Sequence, residues 1–291
     1  YDGQPGDAFA LAVEARDYAM AHDVPLVVAW SLSLIGLVHS NSGNHSEALS
    51  CSLQALDCYR GTGHRVDEGN MLNTIASIYH ELGDTDRAIV NYEAAMNANA
   101  QLNRPDFDAI TLANVSSLRA ERGEFDIAIE IGERALALCR IHAVGFLPEV
   151  LAALASAYGG RGEFDQARTL LNAALAMLDA SSVSFDDAVR SSVELAFGRV
   201  ELCAKNDAEA LSHFCRALGL AEVINAKPIE FSAHCALADL YKATGQFEEA
   251  VYHLEKKFAI NQSIFNEGTD IRIKTLQVAH EAEESRQQAE I

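Results

Sequence analysis

The sequence contains few basic residues, and this shortage excludes two classes of partner. Only 22 of its 291 residues are Lys or Arg, against 42 that are Asp or Glu, which leaves a net charge of -20 at pH 7. Such a charge repels the phosphate backbone of nucleic acids and the surface of anionic membranes. We therefore expect neither nucleic acid nor membrane among the partners of this chain.

Long apolar runs and targeting signals are also missing. No stretch of about 18 apolar residues occurs, and the N-terminal segment has no basic region followed by a short apolar one. The cysteines never form a Cys-x-x-Cys motif, which argues against a metal or redox framework. We expect a cytoplasmic location, in which the six cysteines are reduced and mostly buried: Cys51, Cys58, Cys139, Cys203, Cys215 and Cys235.

The motifs of several enzyme classes are absent as well. The sequence has no Gly-x-Ser-x-Gly elbow, no P-loop and no His-Glu-x-x-His. Imidazole and thiolate are zinc ligands, but the residues of this kind that attract notice have no fixed ligand spacing, so we interpret them as packing residues: His213, Cys215, His234 and Cys235. We predict no enzyme activity, no cofactor and no metal site.

What the sequence does contain is a short phrase that returns along the chain. It reads Gly-Asp-Thr-Asp-Arg-Ala at residues 83–88, and each copy begins with Gly, or once with Lys, and ends with Ala. The closing alanines are about 40 residues apart: Ala48, Ala88, Ala128, Ala167, Ala210 and Ala250. A fixed period of this size is typical of a repeat array.

Each copy of the phrase lies between two helical patterns. Before residues 83–88, apolar or small residues recur at helical spacing, namely Leu72, Ile75, Ala76 and Tyr79. A second helical pattern follows the phrase and begins at Ala88. The glycine suits the left-handed position just past a helix end, and the alanine permits close packing of the two helices. Each repeat is thus predicted to be a helix, a tight turn and a second helix.

The register of the phrase predicts one array over residues 1–266. An incomplete repeat lies near 1–22, and we expect its first helix to precede Tyr1. Six complete repeats follow near residues 23–62, 63–102, 103–142, 143–184, 185–225 and 226–266.

The fifth complete repeat, near 185–225, departs most from the pattern. Glu201 stands where Tyr79 stands in the second repeat, Asp207 replaces an aromatic residue, and three additional residues fall within 181–187. One interpretation is a local bend or an adaptation that faces a ligand. The alternative, which we favour, is neutral drift in a tolerant array.

The pattern Leu72, Ile75-Ala76, Tyr79, Gly83 and Ala88 resembles the tetratricopeptide repeat, over roughly residues 3–266. The period near 40 exceeds the usual 34 and is similar to that of the longer subclass, found in peptide-sensing regulators and cytoskeletal adaptors. The resemblance implies an all-α, right-handed superhelix. Its concave side is lined by the first helices and binds a protein or peptide.

Candidate binding residues are the first-helix side chains that lie off the packing stripe. In peptide-binding members of the family, Asn at the position of Asn73 often bonds the ligand backbone, although here only the second complete repeat has it. Trp30 is a candidate apolar anchor, with capping of the helix stack as the alternative role. The full set of candidates is Trp30, Asn70, Asn73, Ser77, His80, Glu81, Arg199, Asp239 and Lys242; matching positions in other repeats include Ile110, Ala113, Ser117, Glu149, Ala152, Ser156, Ser192 and Leu195.

The tail at 267–291 resembles the connector helix that joins tetratricopeptide sensory regions of bacterial signalling proteins to an output domain. In that family the output is a diguanylate cyclase, a histidine kinase or a nucleotide cyclase. The resemblance rests on Phe265-Asn266-Glu267, Leu276-Gln277 and the charged helical pattern after them. It implies a homodimer through this helix, with a seam drawn from Ile264, Phe265, Ile271, Leu276 and Val278.

Two functional hypotheses follow. The first is a non-catalytic sensory region that binds a protein or peptide and passes the signal to an output domain through the C-terminal helix. The alternative is a scaffold for the assembly of protein complexes, with no attached enzyme.

Overall fold

The computed structural model describes residues 5–41, 44–100, 102–142, 145–180, 186–224 and 226–263. All regular structure in these residues is α-helical, as the sequence predicts. The helices are α1 (Pro5–Ala21), α2 (Pro25–Asn41), α3 (His45–Thr62), α4 (Arg65–Glu81), α5 (Thr85–Asn99), α6 (Pro105–Glu121), α7 (Phe125–His142), α8 (Leu147–Arg161), α9 (Phe164–Ala180), α10 (Asp186–Cys203), α11 (Asp207–Val223), α12 (Lys227–Ala243) and α13 (residues 247–263).

The helices form antiparallel pairs with tight turns between the partners. Each of the six complete repeats contains one pair, from α2 and α3 in the first to α12 and α13 in the sixth, while α1 falls in the incomplete repeat. We call the helix before each turn the first helix of its pair and the helix after it the second. No helix among the described residues is both long and apolar enough to cross a membrane.

The chain divides into two compact units between Leu102 and Asn103, where the second complete repeat meets the third. Unit 1 contains α1 to α5, and each of these helices packs against the next. Its core includes Val13, Ile35 and Ile75, all buried.

Unit 2 runs from Asn103 to Asn261. From α6 to α12 each helix packs against the next, and the first helices α6, α8, α10 and α12 also pack against one another in sequence. Its core is built from fully buried side chains that both helices of a pair supply: Leu118, Leu154, Leu171, Phe214 and Leu237. The first helices therefore form one layer of unit 2 and the second helices another, and this arrangement positions the sites described below.

The glycines of the repeated phrase have the left-handed backbone that the sequence predicts. Gly83, Gly123, Gly162 and Gly245 have φ values between 75° and 91°, and the amide of each donates to a carbonyl in the last turn of the helix before it. In the fifth complete repeat Lys205 has the same conformation, with φ 63°. The turn thus keeps its shape where the glycine is lost.

The expectation that the cysteines are mostly buried is wrong. All six are free thiols, but only Cys139 is buried. Cys203 and Cys215 are exposed because they lie on the solvent-facing sides of α10 and α11, away from the packing stripe. The remaining three are half-buried, namely Cys51, Cys58 and Cys235.

A pair of buried histidines lies between α12 and α13. The Nδ1 atoms of His234 and His253 are 2.8 Å apart, so that one ring donates a hydrogen bond to the other, and Tyr241 stacks on His253. Burial, aided by the electrostatic influence of His253 and Lys256, lowers the pKa of His234 to about 4. Burial also lowers the pKa of His253. Both rings are therefore neutral in the folded protein at pH 7.

The turn glycines provide a test of backbone strain. A Cβ at Gly123 would meet open space, so the substitution Gly123→Ala acts only through the left-handed φ of 75° at this residue. It should lower the free energy of unfolding by about 1 kcal/mol. Gly219, inside α11, also has open space around it, and Gly219→Ala should raise that free energy by about 1 kcal/mol. Urea unfolding of both variants checks this, and effects of the same sign would contradict it.

The histidine pair predicts acid sensitivity. The unfolded chain binds protons at these sites with an ordinary histidine pKa near 6.5, and the folded protein binds them more weakly. The stability that the neutral pair provides is therefore complete above about pH 6.5 and is lost as the pH falls towards the folded pKa. Between pH 7 and pH 5 the unfolding free energy should fall by about 2 kcal/mol more in the wild type than in His234→Asn.

Urea unfolding at each pH measures this difference. The exposed His142 on α7 supplies the matched control, and His142→Asn should keep the pH dependence of the wild type. A His234→Asn variant that loses stability as steeply as the wild type would show that the buried pair is not the cause.

Candidate functional site

Two adjoining depressions lie on the first-helix face of unit 2. Both are formed by α6, α8 and α10, and their volumes are about 210 and 190 Å³. The smaller is lined by Ile110, Ala113, Asn114, Ser117, Glu149, Ala152, Ala153, Ser156, Val189, Ser192, Val193 and Ala196. The larger shares Ser117 and Ser156 with it and is completed by Ala120, Glu121, Gly159, Gly160, Arg199, Val200 and Cys203.

Small side chains keep these depressions open. Ala113 and Ala152 stand where Asn73 stands in the second complete repeat, and Ala196 leaves further space. The hydroxyl of Ser156 donates to the carbonyl of Ala152 at 3.0 Å, within its own helix. The surface therefore offers shallow space with a few polar groups at its edges, which suits an extended chain more than a compact small molecule.

Most of the positions predicted for the concave side in α6, α8 and α10 line these depressions. Of the nine main candidates, Arg199 alone lines them. Leu195 is an exception, because it is buried in the core with Phe214 and Leu237. Asp239 and Lys242 lie exposed on α12 and line neither depression.

The other candidates belong to unit 1, and some of them have partners within it. Ser77 contacts the hydroxyl of Tyr92 at 3.0 Å, and the Glu81 carboxylate lies 3.0 Å from Nδ1 of His45. Trp30 is 51 % exposed on α2. Asn70 is exposed, and Asn73 and His80 are half-buried. Their role in binding stays a prediction.

The candidates for the dimer seam lie outside the described residues. These are Ile264, Phe265, Ile271, Leu276 and Val278.

A larger polar groove, of about 610 Å³, lies between the second helices α9 and α11, with α10 as its floor. It is lined by Arg168, Asn172, Leu175, Asp179, Arg190, Glu194, Phe197, Glu201, Asn206, Glu209, His213 and Arg216. All of these residues belong to the fourth and fifth complete repeats. The groove thus coincides with the irregular part of the array.

The floor of this groove carries two buried carboxylates. Glu194 and Glu201 are 5 % and 3 % exposed and lie two turns apart on α10. They replace the leucine and tyrosine that stand at these positions in α8, namely Leu151 and Tyr158. A buried carboxylate is costly unless it is paired and hydrogen-bonded, so each must have partners.

Both flanking helices supply those partners. Arg168 on α9 donates to the two carboxylate oxygens of Glu201 at 2.6 and 2.9 Å, and Asn206 adds a third bond at 2.7 Å. On the other side, Nδ1 of His213 lies 2.6 Å from Glu194, and Arg216 donates to the same carboxylate at 3.1 Å. The carboxylates of α10 therefore tie it to α9 and to α11.

The pairing controls the ionisation of both carboxylates. The hydrogen bonds from Arg168 hold the pKa of Glu201 below its usual range. Burial works against ionisation of Glu194, but the hydrogen bonds from His213 and Arg216 outweigh it and lower the pKa of this group too. Both residues are thus ionised at pH 7.

Glu201 is thus a buried residue whose carboxylate is paired with a side chain of α9. The two interpretations of the fifth complete repeat both stay predictions. Sequence reasoning noticed Glu201 but missed Glu194, Arg168 and Arg216. The available signal was that Glu194 also breaks the apolar stripe, at the position of Leu72 and Leu151.

No cluster of three potential metal ligands occurs among the residues that the structure describes. His213 bonds Glu194, and His234 bonds His253. Both histidines therefore have protein partners.

Family models for the tetratricopeptide repeat match most of the array. One matches residues 27–101 and 67–141, a second matches 148–173, and a third matches 231–262. No curated protein sequence matches the chain.

Several solved structures share the fold at low sequence identity. A Rap protein complexed with competence and sporulation factor has a TM-score of 0.72 at 17 % identity, over 89 % of this chain and 71 % of that one. Aspartyl phosphate phosphatase F from Bacillus subtilis has a TM-score of 0.62 at 14 % identity, over 87 % and 68 %. BtubC from P. vanneervenii has a TM-score of 0.59 at 19 % identity, over 77 % and 93 %.

At these identities the likeness concerns the fold alone, and it agrees with the repeats that the family models find. The chain carries tetratricopeptide repeats and folds as an all-α solenoid of the tetratricopeptide type.

Proposed function

We propose that this chain is a non-catalytic, regulatory region that binds a peptide or protein segment on the first-helix face. The observation that carries the proposal is the pair of adjoining depressions across α6, α8 and α10. Three successive helices contribute to them, so that a ligand in extended conformation would contact three repeats at once. Solenoids use such repeated surfaces to bind extended ligands.

The comparisons support this proposal at the level of the fold. One similar solved structure is a Rap protein with a bound competence and sporulation factor, which shows that a solenoid of this kind binds a separate factor. In the present chain, the side chains that line the depressions decide which kind of ligand fits. The depressions contain small residues, Arg199 and two glutamates, Glu121 and Glu149, so that a ligand with small or apolar groups and few negative charges fits best.

The finer part of the proposal concerns signal transmission. We infer that the region belongs to a bacterial cytoplasmic signalling protein and that residues 267–291 connect it to an output domain as a homodimeric helix. This rests on the resemblance of the sequence from Phe265 onwards to such connectors. A scaffold for complex assembly, without an attached enzyme, is the second candidate, and it needs only the binding surface.

Arginine in place of a small groove residue tests the binding surface. A peptide would be selected from a random displayed library with the wild-type protein, synthesised, and measured by fluorescence anisotropy. Ala152→Arg fills the smaller depression and should weaken binding by at least about tenfold. Ala173→Arg, the same change at an exposed position of α9, should not.

Two results would contradict the proposal. One is that the wild type enriches no peptide from the library beyond what an unrelated control protein enriches. The other is an equal loss of affinity in the two variants, which would point to a general effect of the added charge.

Removal of residues 267–291 distinguishes the sensory-region hypothesis from the scaffold hypothesis. In the sensory region this truncation should convert a dimer into a monomer while peptide affinity is kept, which light scattering and anisotropy measure together. A scaffold without the connector function should show the same mass before and after truncation.

A further inference from the structure

The last helix that the structure describes, α13, carries an apolar stripe on its outer side. The stripe consists of four exposed residues at helical spacing: Phe247, Val251, Leu254 and Phe258. Leu254, near its centre, is 49 % exposed. The buried side of α13 meets α12 through His253, so the stripe is a second apolar side that α12 leaves uncovered.

The register of the repeats shows what covers this position elsewhere. Leu254 stands four residues after the closing alanine of its phrase, as Gly132 does in α7 and Phe214 in α11. Phe214 is fully buried and shares a core cluster with Leu237 of α12. A Cβ on Gly132 would lie 2.9 Å from Leu154 of α8. In both cases the neighbour belongs to the first helix of the next pair, so the stripe of α13 has the position of a surface that receives a further first helix.

Acidic residues lie along one edge of the stripe. Glu248 and Glu255 are exposed and seven residues apart, which places them on the same side of α13. A covering helix is therefore favoured by basic residues beside its apolar ones, because such residues complement the charge of this edge. A helix with acidic residues at the same places would be repelled.

The chain that follows α13 is long enough to supply this helix. Only residues 224–226 separate α11 from α12, and only residues 143–146 separate α7 from α8. Helix α12 is 17 residues long. Residues 264–291 therefore suffice for a short connection and a helix of that length.

Leu276 has the register of the residue that covers the equivalent of Leu254. It follows Leu254 by 22 positions in the sequence, and Leu154 follows its neighbour Gly132 by 22 positions as well. A helix that continued the array by one more first helix would thus bring Leu276 over Leu254.

The sequence around Leu276 also has the pattern of a first helix. Ile273, Leu276 and His280 have the same spacing as three buried residues of α2, namely Leu32, Ile35 and His39. Arg272 and Lys274 adjoin Ile273, and they supply the basic residues that the acidic edge of α13 favours.

The seam predicted for the dimer falls on another face of this segment. In a helix, Ile271 and Val278 would share one side, and Ile273 and Leu276 would lie on the opposite side. Docking therefore takes Leu276 from the predicted seam and leaves Ile264, Ile271 and Val278 available to a second copy.

We propose that residues 267–282 dock on α13 of the same chain as an additional first helix, with Leu276 over Leu254. Docking buries the apolar stripe of α13 and joins the array rigidly to the end of the chain. The proposal rests on neither the peptide-binding surface nor the homodimer of the proposed function, so each can fail without the other.

Hydrogen exchange of the full chain, followed by mass spectrometry, tests the docking. A free helix of this length is marginal in water, so slow exchange of residues 267–282 at about 1 μM protein requires packing, and slow exchange is expected. Val251→Asp places a charge in the exposed stripe and should speed exchange of this segment by at least about tenfold. The matched control is Val90→Asp, at an exposed position of α5, which should exchange as the wild type does.

Three results would overturn the proposal. Fast exchange of residues 267–282 in the wild type would show that no helix is docked. Equal protection in the wild type and in Val251→Asp would place the packed helix elsewhere, for example in a dimer seam. Protection that appears only as the protein concentration rises would assign the stripe to a second copy of the chain.

Discussion

Close approach of the two helices in each pair, at a small residue on each, is the constraint on which the rest of the fold depends. The alanine that closes each repeated phrase is buried. It faces a small residue of the first helix. In the first complete repeat a Cβ on Gly36 would lie 3.3 Å from the carbonyl oxygen of Ala48. In the third, the hydroxyl of Ser116 donates to the carbonyl oxygen of Ala128 at 2.7 Å. Larger residues here would separate the helices and disturb the packing of the next pair.

The fifth complete repeat keeps this close approach and changes what surrounds it. Gly198 provides the small residue of α10, and a Cβ there would lie 2.4 Å from the ring of Phe214. On the same helix, Glu194 and Glu201 replace residues of the apolar stripe. Because buried ion pairs compensate the cost of desolvation only when their geometry is good, α10 fits where it does only with Arg168 and Arg216 in place. Backbone packing is thus conserved while side-chain specificity is new.

This difference explains how much could be predicted from the sequence. The turns depend on local features, so that Gly83 and its equivalents gave the register, the helix pairs and the small-residue contacts. The polar groove depends on side chains 33 residues apart, Arg168 and Glu201, which no local pattern joins. The cysteine expectation was wrong for a related reason, because helical spacing alone did not tell the solvent-facing side of α11 from its packed side at Cys215.

Helix α10 is the element that the first-helix depressions and the polar groove share. Ser192, Ala196 and Arg199 line the first-helix depressions, while Glu194 and Glu201, on another side of the same helix, form the floor of the polar groove. A rigid helix moves as one body, so a ligand that shifted α10 at the depressions would also change the geometry of the polar groove. Coupling of this kind must be reciprocal in binding free energy. The buried carboxylates would then set its strength, since they resist any movement of α10 away from its arginine partners.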